Sequence, residues 1–171
     1  MKFLVMSDNH GRYLKVQEVI DTWRDKVDYI FHTGDSEFPS EDVIWDQVDG
    51  VVTGNMDFDR GYRQQMVKNT PVGNVYLSHG HLTGVNRGYK EIFEAGKKEN
   101  ANFIFHGHTH RLYAEYVDRI LLLNPGSLNQ SRGEHPERTF AIVEVGDEQI
   151  EVQYYNDENQ PLEQLHFTFK R

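Results

Sequence analysis

Three histidines alternate with two small residues in IFHGHTH (residues 104–110), directly after an apolar run. Four other apolar runs stop in much the same manner: FLVMSDNHG, YIFHTGDS, VVTGNMD and VYLSHGHL. Each puts a residue able to bind metal, usually beside a glycine, where the run ends. Collected, these residues are Asp8, His10, Asp35, Asn55, His79, His108 and His110. The set mixes carboxylate, amide oxygen and imidazole and holds no sulfur. It is more than one ion needs, and it suits two first-row divalent ions that share a carboxylate. In extended chain, residues i and i+2 face the same way, so Asp8 with His10, and His108 with His110, are expected to converge in pairs.

Taken singly, these residues have ordinary readings. Gly34–Asp35 and Gly54–Asn55 are common turn dipeptides, and Asp8 is a helix-capping type. Five such endings in order are more than turn chemistry supplies. Other metal and phosphate chemistries lack their signatures. No HExxH helix and no GxxxxGK[ST] loop is present. A barrel hydrolase that uses His-x-His needs roughly 200 residues or more.

Positioning such a set takes strands whose carboxyl ends open on one crevice. Residues 2–6, 28–32 and 50–53 read as strands, with a helix over 13–27 and a short one over 41–48. That strand–helix alternation implies a parallel α/β sheet. Residues 62–68 and 74–79 read as paired strands with a turn around Pro71 and Gly73. A helix over 89–100 and a strand over 102–106 follow. The last third is β-rich: 112–117, 119–123, 138–145, 149–155 and 164–170, with a hairpin at Gly146–Asp147. The expected fold class is α/β, a four-layer α-β-β-α sandwich of two mixed sheets flanked by helices.

With 171 residues the chain is expected to form a single domain spanning 1–171. Hydrophobic residues make up 37% and charged residues 26%, the balance of a soluble globular protein, and no apolar run approaches a membrane span. The apolar part of MKFLVMSDNHG is too short for a signal peptide. The chain has no cysteine, which excludes thiolate metal sites and disulfides and suits a reducing cytoplasm. Its net charge of −9 lacks the footprint of a nucleic-acid binder while tolerating bound cations. The expected partner is a small substrate, with no membrane and no long nucleic acid; a homo-oligomer stays open.

The ordered series D-x-H (Asp8, His10), G-D (Gly34, Asp35), G-N (Gly54, Asn55), H (His79) and G-H-x-H (Gly107, His108, His110) resembles the calcineurin-like metallophosphoesterase superfamily. The later N-P-G-S (Asn124–Ser127) extends the resemblance, and the size is similar to that of the family's small single-domain prokaryotic phosphodiesterases. The resemblance implies the same sandwich. It implies one metal on Asp8, His10, Asp35 and His110, and another on Asp35, Asn55, His79 and His108, with Asp35 bridging. The ions would be divalent, with manganese expected and nickel, cobalt, iron or zinc also suited to these donors. The implied activity is hydrolysis of small phosphodiesters by a water or hydroxide held between the ions. Asp35 and Asn55 would then act at the reacting centre.

Several residues stand near this set without belonging to it. His106 and His32 read either as core histidines or as groups that donate a ring N–H to a carboxylate and orient a ligand. His81, two residues after His79, could face the same pocket, as acid or as substrate contact. Arg132 could hold a phosphate or be a solvated loop arginine, and Asn9 is a lesser substrate candidate. The sequence departs from the family after Asn55: many members carry a histidine acid there, and this chain has Met56. Asp57, which would orient that histidine, is then left with nothing evident to orient. Phe58, Tyr62 and Tyr89 are expected in the core. An enzyme is the leading function. The alternatives are a non-catalytic interaction scaffold of the same fold, as in a retromer subunit, and a nuclease or nucleotide phosphatase.

Overall fold

The computed structural model describes residues 1–171. Eleven strands and two helices follow one another as β1 (Lys2–Met6), α1 (Tyr13–Trp23), β2 (Tyr29–His32), β3 (Gly50–Val51), β4 (Gln65–Thr70), β5 (Gly73–Ser78), α2 (Lys90–Lys98), β6 (Phe103–Phe105), β7 (Tyr113–Val117), β8 (Ile120–Asn124), β9 (Thr139–Val145), β10 (Gln149–Asn156) and β11 (Pro161–Lys170). Short 3-10 turns cover Val43–Gln47 and His81–Thr83. One sheet runs β11-β10-β9-β1-β2-β3 and the other β4-β5-β6-β8-β7. In the first, β1, β2 and β3 are parallel while β9 lies antiparallel to β1. In the second, β5, β6 and β8 are parallel, and β4 and β7 are antiparallel edges. Both sheets are mixed, as expected.

The four layers follow from alternation. Phe3 and Val5 point inward and meet Phe103, Phe105, Val75, Leu77, Leu121 and Leu123 of the opposite sheet. Their neighbours Leu4 and Met6 point outward, onto Val16, Val19 and Ile20 of α1. Ile104 and Leu122 point outward on the other side, onto Ile92 of α2. Strands buried on both faces read as unbroken apolar runs rather than as alternating ones. The parallel strands β1, β2, β3, β5, β6 and β8 all end at the side from which the ligand-type residues emerge.

Some element bounds differ from those expected. Helix α1 stops at Trp23, four residues early, and Val27 packs on the same cluster from the turn beyond it. The helix expected over 41–48 is a five-residue 3-10 turn, opened by Asp42 accepting from Ile44 N. The third strand keeps only Gly50 and Val51, because Val52 to Asn55 leave the sheet to reach the crevice. No helix is long and apolar enough to cross a membrane.

Candidate metal centre

All seven ligand-type residues gather at the strand ends, though not by extended geometry. Asp8, His10, Asp35, His108 and His110 each have positive φ, between 42° and 71°. Non-glycine residues enter this region at a cost, and such strain concentrates at functional sites. Asp8 and His10 do converge as expected, but left-handed loops rather than extended chain aim them, and His108 lies beside His79 instead of His110.

Two groups lie close enough to share an ion: Asp8, His10 and His110, and Asp8, Asp35 and His79. Asp8 Oδ1 is 3.2 Å from His110 Nε2, and Asp35 Oδ2 is 3.3 Å from His79 Nε2 and 3.8 Å from His10 Nε2. Asn55 Oδ1 lies 3.2 Å from His79 Nε2, and the His108 ring is 5.2 Å from that of His79.

The partners of the imidazoles fix their tautomers. His10 Nδ1–H donates to Glu37 (2.7 Å), His79 Nδ1–H to Thr33 O (2.8 Å) and His110 Nδ1–H to Gln130 O (2.8 Å). These oxygens can only accept, so each ring in its neutral form turns an unprotonated Nε2 inward. His10 Nε2 and His110 Nε2 face each other at 3.1 Å, and in that form they set two lone pairs against each other. Asp8 Oδ1, buried in the same spot, has no hydrogen-bond partner. Acceptors converging without donors fit a cation, and imidazole with carboxylate fits a first-row divalent one.

The electrostatics agree. Burial pushes the Asp8 carboxyl up, but with no ion bound the protonated forms of His79 and His110, and the Ser7 hydroxyl, outweigh it and hold it down at about 2. Burial likewise pushes His79 down, yet Asp8 and Asp35 outweigh it and raise its pKa. Two buried carboxylates thus favour positive charge in front of His79, whether proton or metal.

Each carboxylate has one oxygen tied and one free. Asp8 Oδ2 accepts from Ser7 Oγ (2.6 Å) and His108 N (3.1 Å), and Asp35 Oδ1 accepts from Met56 N (2.7 Å). The glycines of the motifs make room for this. A methyl group on Gly54 would sit 2.0 Å from Asp35 Oδ1, and one on Gly107 would sit 2.1 Å from Ser7 Oγ. Gly54→Ala is expected to displace Asp35 and weaken metal affinity by roughly 10–100-fold or more, read by metal titration. Unchanged affinity would mean that the loop can yield.

Several supporting residues differ from expectation. His32 meets no carboxylate: its Nε2–H donates to Asn9 Oδ1 (2.7 Å) and its Nδ1 accepts from Gly34 N (3.1 Å). Asn9 is fully buried, and its Nδ2 also donates to Ser36 O (3.2 Å). With its Oδ1 and one Nδ2–H engaged, Asn9 braces the β1 and β2 loops. Asp57 does have work: Asp35 N, Glu37 N and Gly54 N each donate to its carboxylate at 2.7 Å. It ties the β2 and β3 loops together. His106 is fully buried beside Gly107 O (3.1 Å), again with no carboxylate. Burial holds both His32 and His106 down to about 4, so they stay neutral. Phe58 is 82% exposed rather than core, next to half-exposed Met56, whereas Tyr62 and Tyr89 pack on apolar clusters.

His81 reaches the site, its ring 5.3 Å from His79 and 6.1 Å from His108, with a buried Nδ1 that has no partner. Burial and then the neighbouring His79 lower its pKa. Arg132 lies on an exposed loop whose backbone N donates to His110 O at 3.0 Å. Glu37, which accepts from His10 Nδ1, is a functional residue with one signal in the sequence, an acid two residues after Asp35. The N-P-G-S segment, which extends the resemblance in sequence, also braces the site. Asn124 Nδ2 donates to Gly107 O and Thr109 Oγ1 (3.0 Å each), and Ser127 Oγ donates to Asp8 O (2.8 Å).

Comparison with known proteins gives the family and the fold. The chain is 27% identical over 165 residues to a probable metallophosphoesterase, YsnB, of Bacillus subtilis, covering 96% of each chain. A crystal structure of a conserved protein of Streptococcus pneumoniae, described as a predicted phosphoesterase, superposes with a TM-score of 0.95 at 36% identity, covering 99% of this chain and 97% of that one. Vps29 of Entamoeba histolytica, solved with zinc, shares the fold at a TM-score of 0.72 and 20% identity, covering 100% and 98%. Residues 1–148 match the family model described as the calcineurin-like phosphoesterase superfamily domain. A match over that much of the sequence assigns the family: the chain belongs to the calcineurin-like phosphoesterase superfamily.

Proposed function

We propose that this protein is a binuclear-metal phosphodiesterase that hydrolyses small diesters, with residues 1–171 acting as one domain. The observation that carries the reading is the pair of Nε2 atoms of His10 and His110, 3.1 Å apart beside the orphaned Asp8 Oδ1. Relatives named metallophosphoesterase and phosphodiesterase support it. One ion would be held by Asp8, His10, Asp35 and His110, and the other by Asp35, Asn55, His79 and His108. Two divalent ions, when bound, acidify water and neutralise charge growing on phosphoryl oxygens.

The chain's own groups do the rest. Glu37, Thr33 and Gln130 hold the three rings in the tautomer that presents Nε2. Asn55 turns its Oδ1 towards His79, which frees its Nδ2 to donate to a phosphoryl oxygen. His81, neutral at pH 7, offers a ring N–H on the same side. Met56 supplies no proton. The net charge of −9 works against long polyanions. A scaffold that binds no metal would have no use for converging acceptors.

The test is metal-stripped protein reconstituted with manganese, cobalt, nickel, iron or zinc in turn and assayed on bis(4-nitrophenyl) phosphate and on duplex DNA. Hydrolysis of the small diester should return as manganese approaches two equivalents, with duplex DNA intact. No hydrolysis with any ion would favour the scaffold reading, and comparable cleavage of DNA the nuclease reading.

A further inference from the structure

A cavity of about 550 Å³ lies outside the seven ligand-type residues, lined by Tyr89, Arg111, Tyr113, Ser131, Arg132 and His135 among others. That volume is within the range of roughly 300–1,000 Å³ usual for small-molecule sites. It is built onto His110 from two directions. Arg111 follows His110 in the chain, and the 130–132 segment holds His110 through Gln130 O (2.8 Å) and Arg132 N (3.0 Å). Both segments that aim His110 continue as cavity wall.

The wall is cationic and aromatic in a chain of net charge −9. Arg111 Nε donates to Arg132 O at 3.0 Å, which leaves its two terminal nitrogens open. Neither guanidinium pairs with a carboxylate within 4 Å, and Glu134 is the one acid lining the cavity. Tyr89 and Tyr113 stand together, ring centroids 4.3 Å apart and tilted by 39°. A planar guanidinium recognises phosphate through paired N–H groups, and a tyrosine pair offers a face to a ring. The scissile phosphate would be held at the ligand cluster, so the arginines are placed for a different anion.

We propose that this cavity recognises the non-leaving side of the substrate, selecting diesters that carry an aromatic base and a second phosphate group. The inference rests on the phosphodiesterase reading. The probe is a pair of esters with one leaving group: thymidine 5′-(4-nitrophenyl phosphate) and the same ester bearing a 3′-phosphate. The 3′-phosphorylated ester should have a KM lower by about tenfold or more, the effect of one added charge-assisted hydrogen bond. Arg111→Ala with Arg132→Ala should bring the ratio of the two KM values near one, whereas Arg171→Ala, far along the chain, should leave it. A second readout needs no turnover. Calorimetry on metal-free protein should show thymidine 3′,5′-bisphosphate binding more tightly than thymidine 5′-monophosphate, with the difference lost in the double variant. If the esters are cleaved with equal KM, or the two nucleotides bind alike, the cavity has no such role. If neither ester is cleaved but the bisphosphate preference stands, the phosphodiesterase reading fails and the cavity survives as an anion site.

Discussion

Asp35→Ala is expected to remove metal from both positions together and to lower kcat/KM on bis(4-nitrophenyl) phosphate by well over the roughly 10–100-fold that losing a supporting residue costs. The reason is where its free oxygen lies. Asp35 Oδ2 is 3.8 Å from His10 Nε2 and 3.3 Å from His79 Nε2, one ring from each proposed site. Asp8 competes for the bridging role, since both close groups include it. Its free Oδ1 is nearest to His110 (3.2 Å), with His79 at 3.9 Å and His10 at 4.0 Å, and so leans towards the first site. Elemental analysis after manganese loading separates the two. Asp35→Ala should approach zero equivalents and Asp8→Ala should keep one. A protein that holds two ions without Asp35 would contradict the shared-carboxylate arrangement. The variant's far-ultraviolet spectrum serves as the check on folding, because Asp35 Oδ1 also accepts from Met56 N.

How legible this centre is from sequence depends on the range of each interaction. Phe103–Phe105 and Lys2–Met6 announce themselves as buried strands because both of their faces are covered. The ligand types announce themselves because metal chemistry restricts the residues that can serve. The means of convergence does not. Positive φ at Asp8, Asp35 and His108 is imposed by contacts between distant loops, such as Asp8 N donating to Gly34 O at 3.0 Å. Asp57 shows the same limit. Its role is to accept from three backbone N–H groups, two of them 22 and 20 residues upstream, and no local pattern encodes them. Phe58 shows the converse: a large apolar side chain in a loop carries no local signal of which way it points.

The second large effect concerns the departing group. An alkoxide leaves poorly unless it is protonated, and a positioned general acid contributes about 10²–10⁴-fold. Position 56 offers methionine, half exposed and unable to move a proton. His81 is the nearby alternative, but burial and then His79 lower its pKa, so at neutral pH it lacks the proton that an acid must give. A divalent ion next to His79 would deepen that depression. Rates across a series of aryl and alkyl diesters should therefore fall steeply as leaving-group pKa rises. Met56→His should flatten the series and help alkyl esters most. Asp57 would orient the new ring only at the expense of its bonds to Asp35, Glu37 and Gly54, so the gain should stay below the full general-acid effect. His81→Ala should lower all members of the series by a similar factor, as loss of a hydrogen bond to phosphate would. If His81→Ala instead steepens a shallow wild-type series, His81 is the acid and its pKa in the loaded enzyme is higher than its surroundings here dictate. A shallow series that neither substitution alters would place the proton source outside both side chains.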